Sequence, residues 1–384
     1  MKKKIFFLVN TLSFFISHRL ELAIAAKNNN FIVQIGYGEI GNTKLSILEK
    51  MGIELYKLPL ERKSFNPFTE IKTLLSIIKI FKKIKPDIVH LVTIKAYLYG
   101  GIAARLLKVP CVVSAIAGFG IFYKNEQIKI TILKKFLYPI FLIAFNHPNQ
   151  VLIVQNSYDK RVAIKYYGIN AKKLVLFRGS GIQLSNFTNL IEVKNTVTIC
   201  LASRLLIEKG IFDFVSAAKI LNRRGYKAKF ILAGNIDQGN PSSLNKKDLM
   251  KISKGNTIDV IGFHKDIPEL FSKSHIICLP SYYGEGLPKV LMEAAAAGRA
   301  IVTTDVPGCR DAIIPNKTGL IVPPKKPEKL ADALQWLIDN PSIRVSMGKA
   351  ARELAIKEFK IEKIIEKHLN VYQDLLNRFK FGKQ

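Results

Sequence analysis

The sequence has few of the residues that would mark a disulfide-stabilised, zinc-binding or membrane-spanning protein. It contains four cysteines in 384 residues, and no two of them form a C-x-x-C pair. A disulfide scaffold and a cysteine-rich zinc site are therefore excluded, and we predict buried free thiols in a reducing compartment. The longest uninterrupted apolar run, Phe136 to Phe145, is too short to cross a bilayer.

Acidic residues are also scarce, above all in the first half of the chain. Residues 1–190 contain 28 basic and 9 acidic residues, a net charge of +19, and the remainder contains 31 and 20, a net charge of +11. Such a surface attracts nucleic acid, an anionic membrane or a phosphorylated acceptor. No zinc-finger, homeodomain or RNA-recognition signature is present. We therefore predict no nucleic acid partner and favour a diphosphate ligand and an anionic membrane surface.

The first residues imitate a secretory signal, because three lysines precede the apolar run from Ile5 to Val9. Asn10 and Thr11 interrupt that run, and no small-x-small cleavage site follows before His18. We predict instead the first buried strand of a parallel sheet in a cytoplasmic protein.

Short apolar runs alternate with helical patterns in two successive series, which predicts an α/β protein with two Rossmann-like halves. Strands are predicted at 4–9, 31–36, 87–91, 111–115, 150–155 and 174–177, and again at 197–202, 228–233, 257–261, 275–279, 300–304 and 319–322. Helices are predicted, among others, at 67–84, 209–224, 288–297 and 327–339. A polar linker at 182–196 separates a first domain, 1–185 with a C-terminal helix in 361–384, from a second, 186–360.

The most informative segment runs from Ser281 to Glu293. Pro288 is typical of a first helical residue, since it fixes φ and needs no backbone donor there. This predicts Glu285 in a glycine-flanked loop just ahead of a helix, and Glu293 about a turn and a half along it. A helix N-terminus favours a phosphate, and glycines let a ligand approach the backbone. The segment suits a ligand with a phosphate end and a sugar-like end, although the two glutamates alone equally describe a loop carboxylate and a solvated helix face.

Residues 281–293 resemble the E-x7-E motif of the family-4 retaining glycosyltransferases, which have the GT-B fold. Two further segments carry the resemblance, which extends over nearly the whole chain. Residues 203–210 match the Arg-x4-Lys diphosphate loop of that family, and Leu279-Pro280-Ser281 leads into the first glutamate. The resemblance implies two Rossmann-like domains facing a central cleft, with the C-terminal helix crossing back to the first domain.

The resemblance also implies roles at a donor site. Arg204 and Lys209 would neutralise the diphosphate of a UDP-sugar as the sugar leaves, and Glu285 would contact that sugar, so these three are the implied catalytic residues. Further donor contacts are implied at Glu293 (ribose), at the backbone of Gly286 and Leu287, and at Gly262, Phe263 and His264 (base). Surface charge is the alternative for the two cations, and an ordinary loop residue is the alternative for His264. No D-x-D motif occurs, so we expect no metal and no cofactor beside the UDP-sugar substrate.

Segments of the first half resemble a subgroup that builds lipid-linked bacterial surface glycans. From them we predict acceptor contacts at His18, Arg19, Lys95 and Gly118, with a solvated lysine as the alternative for Lys95. Arg178, a basic residue beside the glycine-rich turn after the predicted strand 174–177, is a further predicted acceptor contact, with a hinge turn as the alternative for that segment. The same pattern includes Arg62 and the Gly118-Phe119-Gly120 loop, but no histidine lies in 111–127, where many relatives have one. His18 is then either a general base, or an acceptor contact or helix-cap residue. If His18 is not the base, the β-phosphate of the donor accepts the proton of the acceptor hydroxyl.

Two basic helical stretches, 71–85 and 128–145, combine lysines with apolar residues. Such a helix lies in an anionic membrane interface, or it packs on a sheet with its lysines in water, and both alternatives stay open.

These observations predict a retaining glycosyltransferase on the cytoplasmic face of the inner membrane. It would move a sugar, first of all an N-acetylhexosamine, from a UDP-sugar to a lipid-diphosphate-linked saccharide of a bacterial surface polysaccharide. The alternatives are a non-catalytic binding relative and a UDP-sugar 2-epimerase. Residues 203–210 and 281–293 disfavour both alternatives. The Arg-x4-Lys and E-x7-E motifs in these segments are intact, which disfavours a non-catalytic relative, and the epimerases do not have these two motifs together.

Overall fold

The computed structural model describes residues 2–41, 43–61, 66–116, 118, 138–188, 191–237, 240–255 and 257–381. Backbone contacts divide the chain into two compact units, each with its own parallel sheet. Unit 1 comprises Met1–Ser180 with Glu362–Gln384, and unit 2 comprises Gly181–Ile361. The two Rossmann-like halves predicted from the alternation of strands and helices are therefore present.

Unit 1 is built on a seven-stranded sheet in the order β3-β2-β1-β4-β5-β6-β7. Its strands are β1 (Lys4–Thr11), β2 (Ile32–Glu39), β3 (Glu54–Lys57), β4 (Ile88–Val92), β5 (Cys111–Ile116), β6 (Gln150–Val154) and β7 (Leu174–Leu176). All neighbouring strands in this sheet pair in parallel. Ile5 to Val9 are all buried, because helices cover both faces of the sheet, as is usual for parallel strands.

The helices of unit 1 follow the strands in alternation. They are α1 (Leu12–Asn28), α2 (Ser46–Glu49), α3 (Pro67–Ile84), α4 (Ile94–Leu106), α5 (138–145), α6 (Ser157–Tyr167) and the C-terminal helix (Ile361–Phe381). Helices α3 to α6 share one core with the sheet, and α1, α2 and the C-terminal helix share the core on the opposite face. The start of α3 is capped by Asn66, whose side chain accepts a hydrogen bond from Phe68 N–H at 3.0 Å.

The C-terminal helix packs within unit 1, as the fold prediction expected. His90 of β4 has its Nδ1 2.6 Å from the Tyr372 hydroxyl of this helix, and its ring stacks on His368 at 5.7 Å. Burial lowers the pKa of His90 well below its ordinary value and lowers the pKa of His368 to about 3. Both histidines are therefore neutral, and His90 is a core residue of unit 1.

Unit 2 is built on a six-stranded parallel sheet in the order β10-β9-β8-β11-β12-β13. Its strands are β8 (Thr198–Ala202), β9 (Lys229–Ala233), β10 (Asp259–Gly262), β11 (Ile276–Leu279), β12 (Ala300–Thr304) and β13 (Gly319–Val322). Its helices are α7 (Ile211–Arg223), α8 (Lys246–Lys254), α9 (Ile267–Ser272), α10 (Lys289–Ala296), α11 (Pro327–Asp339) and α12 (Pro341–Leu354). Helices α7, α8 and α11 cover one face of the sheet, and α9 and α10 cover the other.

Two local predictions differ from the structure. Strand β3 (Glu54–Lys57) was not predicted, because it is a four-residue edge strand with no buried residue and hence no apolar run. Helix α10 begins at Lys289, so Pro288 is the N-cap residue, with an extended backbone at φ −60° and ψ 123°, rather than the first helical residue. The fixed φ of proline suits both positions, and only ψ distinguishes them.

The four cysteines are buried free thiols, as predicted. Burial raises the pKa of Cys200 and of Cys309 to about 12, which keeps both thiols protonated and unreactive. Within the ranges given above, no helix combines the length and the apolar character that a membrane crossing requires.

Candidate active site

The strand order of unit 2 brings the two predicted motifs together. From β8 the sheet continues through β9 to β10 on one side and from β11 to β13 on the other, so the connections diverge between β8 and β11. Open parallel sheets bind ligands beside the carboxyl ends of their strands at such a point. Residues 203–210, here called the lysine loop, follow β8, and residues 280–288, the glutamate loop, follow β11.

Lys209 and Glu285, which come from separate motifs, form an ion pair across these loops. Lys209 Nζ lies 2.6 Å from Glu285 Oε2, and the two side chains are 15% and 17% exposed. Ser281 Oγ lies 2.9 Å from the other carboxylate oxygen and 3.0 Å from Glu208 O, so its one proton serves one of these acceptors at a time. The site thus holds a partly desolvated cation and a carboxylate side by side, with a buried serine orienting the carboxylate.

Hydrogen bonds to its main chain hold the glutamate loop against the lysine loop and the sheet. Tyr282 N–H donates to Glu208 O over 3.0 Å, and Glu208 directly precedes Lys209 in the lysine loop. The Thr304 hydroxyl, at the end of β12, donates to Ser281 O. The relative positions of Lys209 and Glu285 therefore depend on main-chain contacts as well as on their own ion pair.

Two glycines permit this close packing. Gly210 has φ +74°, and a Cβ atom there would lie 2.0 Å from Pro280 O. Gly308 has φ +83°, and a Cβ atom there would lie 2.3 Å from Gly286 O and 2.4 Å from Glu285 O. Any larger residue at either position would displace the glutamate loop and would also adopt an unfavourable φ. Gly308 was not singled out from the sequence.

Glu293 lies on α10, as predicted, with Lys289 Nζ 3.6 Å from its Oε1. Burial raises the pKa of Glu293, and the charge of Lys289 opposes that shift. A carboxylate in such surroundings accepts hydrogen bonds from hydroxyl groups, which is the chemistry that a ribose contact requires. The Leu287 side chain is buried in the core beside α10, so a ligand contact at Leu287 would use its backbone.

Arg204 extends from the lysine loop and pairs with a residue that sequence analysis did not identify. Its Nη1 lies 2.8 Å from Asp237 Oδ2. Asp237 follows β9, the neighbour of β8, and this position at the carboxyl edge of the sheet was a usable signal for it.

The predicted base-binding loop, Gly262 to His264, follows the edge strand β10. Gly262 O accepts a hydrogen bond from Gly234 N–H over 2.7 Å. The Phe263 ring is exposed, and His264 Nε2 lies 3.9 Å from Glu269 Oε2. The loop shares the carboxyl edge of the sheet with the two motif loops, and its role in base recognition stays a prediction.

Lys325 is a further cation near the glutamate loop that sequence analysis missed. Its Nζ lies 4.5 Å from the centre of the Tyr282 ring, a cation–π contact that helps to orient this tyrosine. Lys325 follows β13. Across the described part of the chain, no three His, Cys, Asp or Glu side chains group as a metal ion would require.

The predicted acceptor contacts His18 and Arg19 lie two turns along α1 in unit 1. The His18 ring stacks on Phe14 at 4.1 Å, and its Nδ1 lies 3.2 Å from Phe14 O. Arg19 is buried and donates from Nη1 to His18 O over 2.9 Å. Burial lowers the pKa of Arg19 to about 10. The packing leaves little of Arg19 accessible to an acceptor, and the role of both residues stays a prediction.

The other predicted acceptor contacts follow strands of the same sheet. Lys95, near the start of α4, is buried and forms an ion pair with Glu70 of α3 over 2.5 Å. Gly118 follows β5 with φ +104°, and Arg178 is half-buried after β7. The remaining parts of that pattern, Arg62 and Phe119-Gly120, and most of the stretch 128–145, lie outside the described residues.

Thr93, between β4 and α4, has a strained backbone with φ 84° and ψ 156°. A β-branched residue rarely adopts a positive φ, and strain of this kind clusters at ligand sites. Its hydroxyl donates to Asn10 Oδ1 at the end of β1. The connections of unit 1 diverge between β1 and β4, so Asn10 and Thr93 occupy the place that the motif loops occupy in unit 2.

Known protein families match the two halves of the chain in turn. The family described as glycosyl transferase 4-like matches residues 4–156. The family described as glycosyl transferases group 1 matches residues 185–354, which include the lysine loop and the glutamate loop. The chain belongs to the glycosyltransferases. The predicted enzyme class is thereby confirmed.

Two curated relatives cover most of this glycosyltransferase. An N,N'-diacetylbacillosaminyl-diphospho-undecaprenol alpha-1,3-N-acetylgalactosaminyltransferase of Campylobacter jejuni is 26% identical, over 86% of this chain and 88% of the relative. A UDP-Gal:alpha-D-GlcNAc-diphosphoundecaprenol alpha-1,3-galactosyltransferase of Escherichia coli is 25% identical, over 84% of each chain.

The fold of this glycosyltransferase also matches a solved structure. A glycosyltransferase from Rickettsia africae is 21% identical and aligns with a TM-score of 0.76, over 98% of this chain and 99% of that chain. Together with the two parallel sheets, this likeness confirms the predicted GT-B fold class.

Proposed function

We propose that this glycosyltransferase moves a sugar, of the N-acetylhexosamine class, from a UDP-sugar to a hydroxyl of an undecaprenyl-diphosphate-linked saccharide. The product would serve a bacterial surface polysaccharide or glycan. The observation that carries the proposal is the Lys209–Glu285 ion pair, 2.6 Å long, where the loops after β8 and β11 meet. A lysine there can bind a diphosphate, and the adjacent carboxylate can hold the hydroxyls of the sugar attached to it.

The activities of the two relatives support the donor and acceptor classes. One relative transfers N-acetylgalactosamine and the other uses UDP-Gal, and both act on saccharides attached to diphospho-undecaprenol. Galactose and N-acetylgalactosamine differ only in the group at C2. Identities of 26% and 25% leave that choice to experiment.

We propose that the transfer retains the anomeric configuration. Both relatives form an alpha-1,3 bond, and a UDP-hexose of this type carries its sugar in α linkage. The bond between C1 and the β-phosphate oxygen breaks, and Lys209 and Arg204 stabilise the negative charge that appears on the leaving diphosphate. The acceptor oxygen forms the new bond to C1 on the same face. Its proton passes to a β-phosphate oxygen, so His18 is not required as a base.

We further propose that this reaction needs no metal ion. The support is the absence of a D-x-D motif from the chain and the presence of two cationic side chains, Arg204 and Lys209, on the loop after β8. Transfer activity that persists in EDTA is the expected result. Loss of activity in EDTA, restored by added Mg²⁺ or Mn²⁺, would contradict it.

The outward face of α3 supports peripheral binding to an anionic membrane. Phe68, Ile71 and Leu75 are 82%, 57% and 59% exposed, and their spacing places them on one side of the helix. The lysines on the same side are Lys72, Lys79, Lys82 and Lys83, all exposed. Apolar groups that enter the lipid surface beside cations that meet its headgroups are the features of an interfacial helix. We propose the cytoplasmic face of the inner membrane as its location, consistent with four free buried thiols.

Vesicle flotation tests the α3 surface. Wild-type protein should float with vesicles containing anionic phosphatidylglycerol and should bind phosphatidylcholine vesicles less. Replacing Phe68, Ile71 and Leu75 by serine should reduce flotation. A matched variant with Met250→Ser and Ile356→Ser, two exposed apolar residues of unit 2, should float like wild type. Equal flotation of both variants would exclude α3 as the membrane contact.

A panel of four nucleotide sugars tests the proposed donor. UDP-GalNAc, UDP-GlcNAc, UDP-Gal and UDP-Glc vary the C2 group and the C4 configuration independently. Raised thermal stability with several UDP-sugars, with slow UDP release from one of them, is expected, and transfer to a synthetic diphospho-polyprenyl saccharide follows with that donor. A folded protein that responds to no nucleotide sugar would refute the UDP-sugar donor.

A further inference from the structure

Arg204 is held by Asp237 in an asymmetric ion pair. Arg204 Nη1 lies 2.8 Å from Asp237 Oδ2, and the arginine side chain is 54% exposed, whereas the aspartate is only 17% exposed. The carboxylate thus sits in the protein surface and the guanidinium extends from it into solvent. An ion pair this exposed contributes little to stability, so its geometry calls for another explanation.

Several hydrogen bonds fix the position of Asp237. Asn240 Nδ2 donates to the same carboxylate oxygen over 3.0 Å, and Asp237 N–H donates to Ser243 Oγ over 2.9 Å. Asn240 Oδ1 in turn accepts from Ser242 N–H over 3.1 Å. We call residues 235–237 and 240–244 the aspartate brace.

The aspartate brace is bonded to the lysine loop along its main chain. Leu205 N–H donates to Asn235 O over 3.0 Å, and Ile207 N–H donates to Ser242 O over 2.8 Å. Leu206 and Ser243 form an antiparallel bridge between these bonds. Asp237 therefore belongs to the same rigid frame as the loop that carries both Arg204 and Lys209.

We propose that Asp237 is a positioning residue that holds Arg204 in place for the diphosphate of the donor. A guanidinium has five N–H donors in a planar fork. Asp237 binds one of them, at Nη1, and the arginine side chain is 54% exposed, so its other donors have room to meet phosphate oxygens. The inference rests on the proposed UDP-sugar donor.

Removing Asp237 should change the affinity for UDP, and the direction of that change distinguishes two roles for Asp237: holding Arg204 in place for the diphosphate, or competing with the diphosphate for Arg204. If Asp237 only neutralises Arg204 in the unliganded protein, its removal would free the arginine and tighten UDP binding. If Asp237 positions Arg204, its removal would leave a flexible arginine that must be ordered on binding. The cost of ordering one long side chain corresponds to affinity about 3- to 10-fold weaker.

The test is isothermal titration of UDP and UMP into wild type, Asp237→Ala, Arg204→Ala and the double variant. Asp237→Ala should bind UDP about 3- to 10-fold more weakly and lose less for UMP, which has no β-phosphate. In the Arg204→Ala background, Asp237→Ala should change UDP affinity no further, because the residue it positions is gone. Asp332→Ala, which breaks the exposed 2.9 Å ion pair with Arg224 on the same unit, is the control and should bind UDP like wild type.

Three outcomes would overturn the inference while leaving the donor class intact. They are tighter UDP binding by Asp237→Ala, equal losses for UDP and UMP, and additive losses in the double variant. Wild-type protein that binds no UDP would instead refute the proposed function, and the inference with it. Thermal unfolding of each variant shows that the comparison is between folded proteins.

Discussion

Replacement of Lys209 by alanine tests the active site most directly. The substitution removes the cation 2.6 Å from Glu285 Oε2, on the loop that would face the leaving diphosphate. Removing one preorganised donor from a developing oxyanion typically lowers kcat by about 100- to 1000-fold, or about 3–4 kcal/mol of transition-state stabilisation. We therefore expect almost complete loss of transfer, expressed mainly in kcat, because the diphosphate charge grows as the C1–O bond breaks.

The fold should survive this change. Both side chains are only 15% and 17% exposed, and the substitution leaves the Glu285 carboxylate without Lys209, so unit 2 should be destabilised by about 1–3 kcal/mol. For a unit of this size each kcal/mol corresponds to a Tm about 2–4 °C lower. A much larger decrease would mean that the ion pair is mainly structural.

The assay is steady-state release of UDP with the best donor of the panel and a lipid-linked acceptor. Lys273→Ala is the matched control, since its Nζ also lies 2.6 Å from a carboxylate, that of Glu269, but on an exposed surface of unit 2. It should keep wild-type kinetics. A folded Lys209→Ala protein with wild-type kcat and KM would remove Lys209 from the mechanism and refute the argument from the ion pair.

Three further predictions follow from the packing and charges of the two units. Glu293→Ala should nearly abolish transfer and weaken UDP binding while unit 2 stays folded, because the carboxylate that would bind the ribose hydroxyls is removed. Titration calorimetry measures UDP binding and UDP release measures transfer; full activity would exclude a ribose contact at Glu293. Gly308→Ala should destabilise unit 2 by about 1–3 kcal/mol and lower activity, since its Cβ would lie 2.3 Å from Gly286 O; Gly225→Ala, also at positive φ but with no atom within 4 Å, isolates the backbone strain and should keep its activity. Unit 1 should lose stability as the pH falls below about 6.5. Burial lowers the pKa values of His90 and His368 in the folded protein, so below that pH these histidines bind protons only in the unfolded chain. Urea denaturation at pH 7.5, 6.0 and 5.0 should show the free energy of unfolding decreasing by up to about 1.4 kcal/mol per pH unit for each histidine. A free energy of unfolding that does not change between pH 7.5 and 5.0 would contradict the prediction that His90 and His368 are both neutral in the folded protein.

Most strands could be predicted from sequence because their buried side chains form continuous apolar runs, and most helices because their buried side chains recur at helical spacing. The predicted helix at 67–84 has the observed bounds of α3, where Asn66 caps the first turn. Helix α11 likewise spans the predicted 327–339. β3 was missed, since this four-residue edge strand has exposed ends, no buried residue and hence no such run. Pro288 was placed one position too far into α10, because φ alone cannot distinguish an N-cap from a first helical residue.

The candidate site could be predicted only in part. Lys209, Glu285 and Glu293 were each found in short local motifs, but their mutual distance depends on which strands are neighbours. Asp237 is 33 residues from Arg204, and nothing in the local sequence pairs the two. Gly308 was missed for the same reason, because its close contact is with the backbone of another loop.

The sequence by itself determined the alternation of buried strands and helices, the two motif loops and the excess of basic side chains, since these depend on residue type and short-range spacing. The tertiary structure decided that Lys209 meets Glu285, that Asp237 meets Arg204, and that Arg19, His90 and His368 are buried in unit 1. Such contacts join residues far apart in the chain. They follow from the order in which parallel strands assemble into a sheet, which no local pattern encodes.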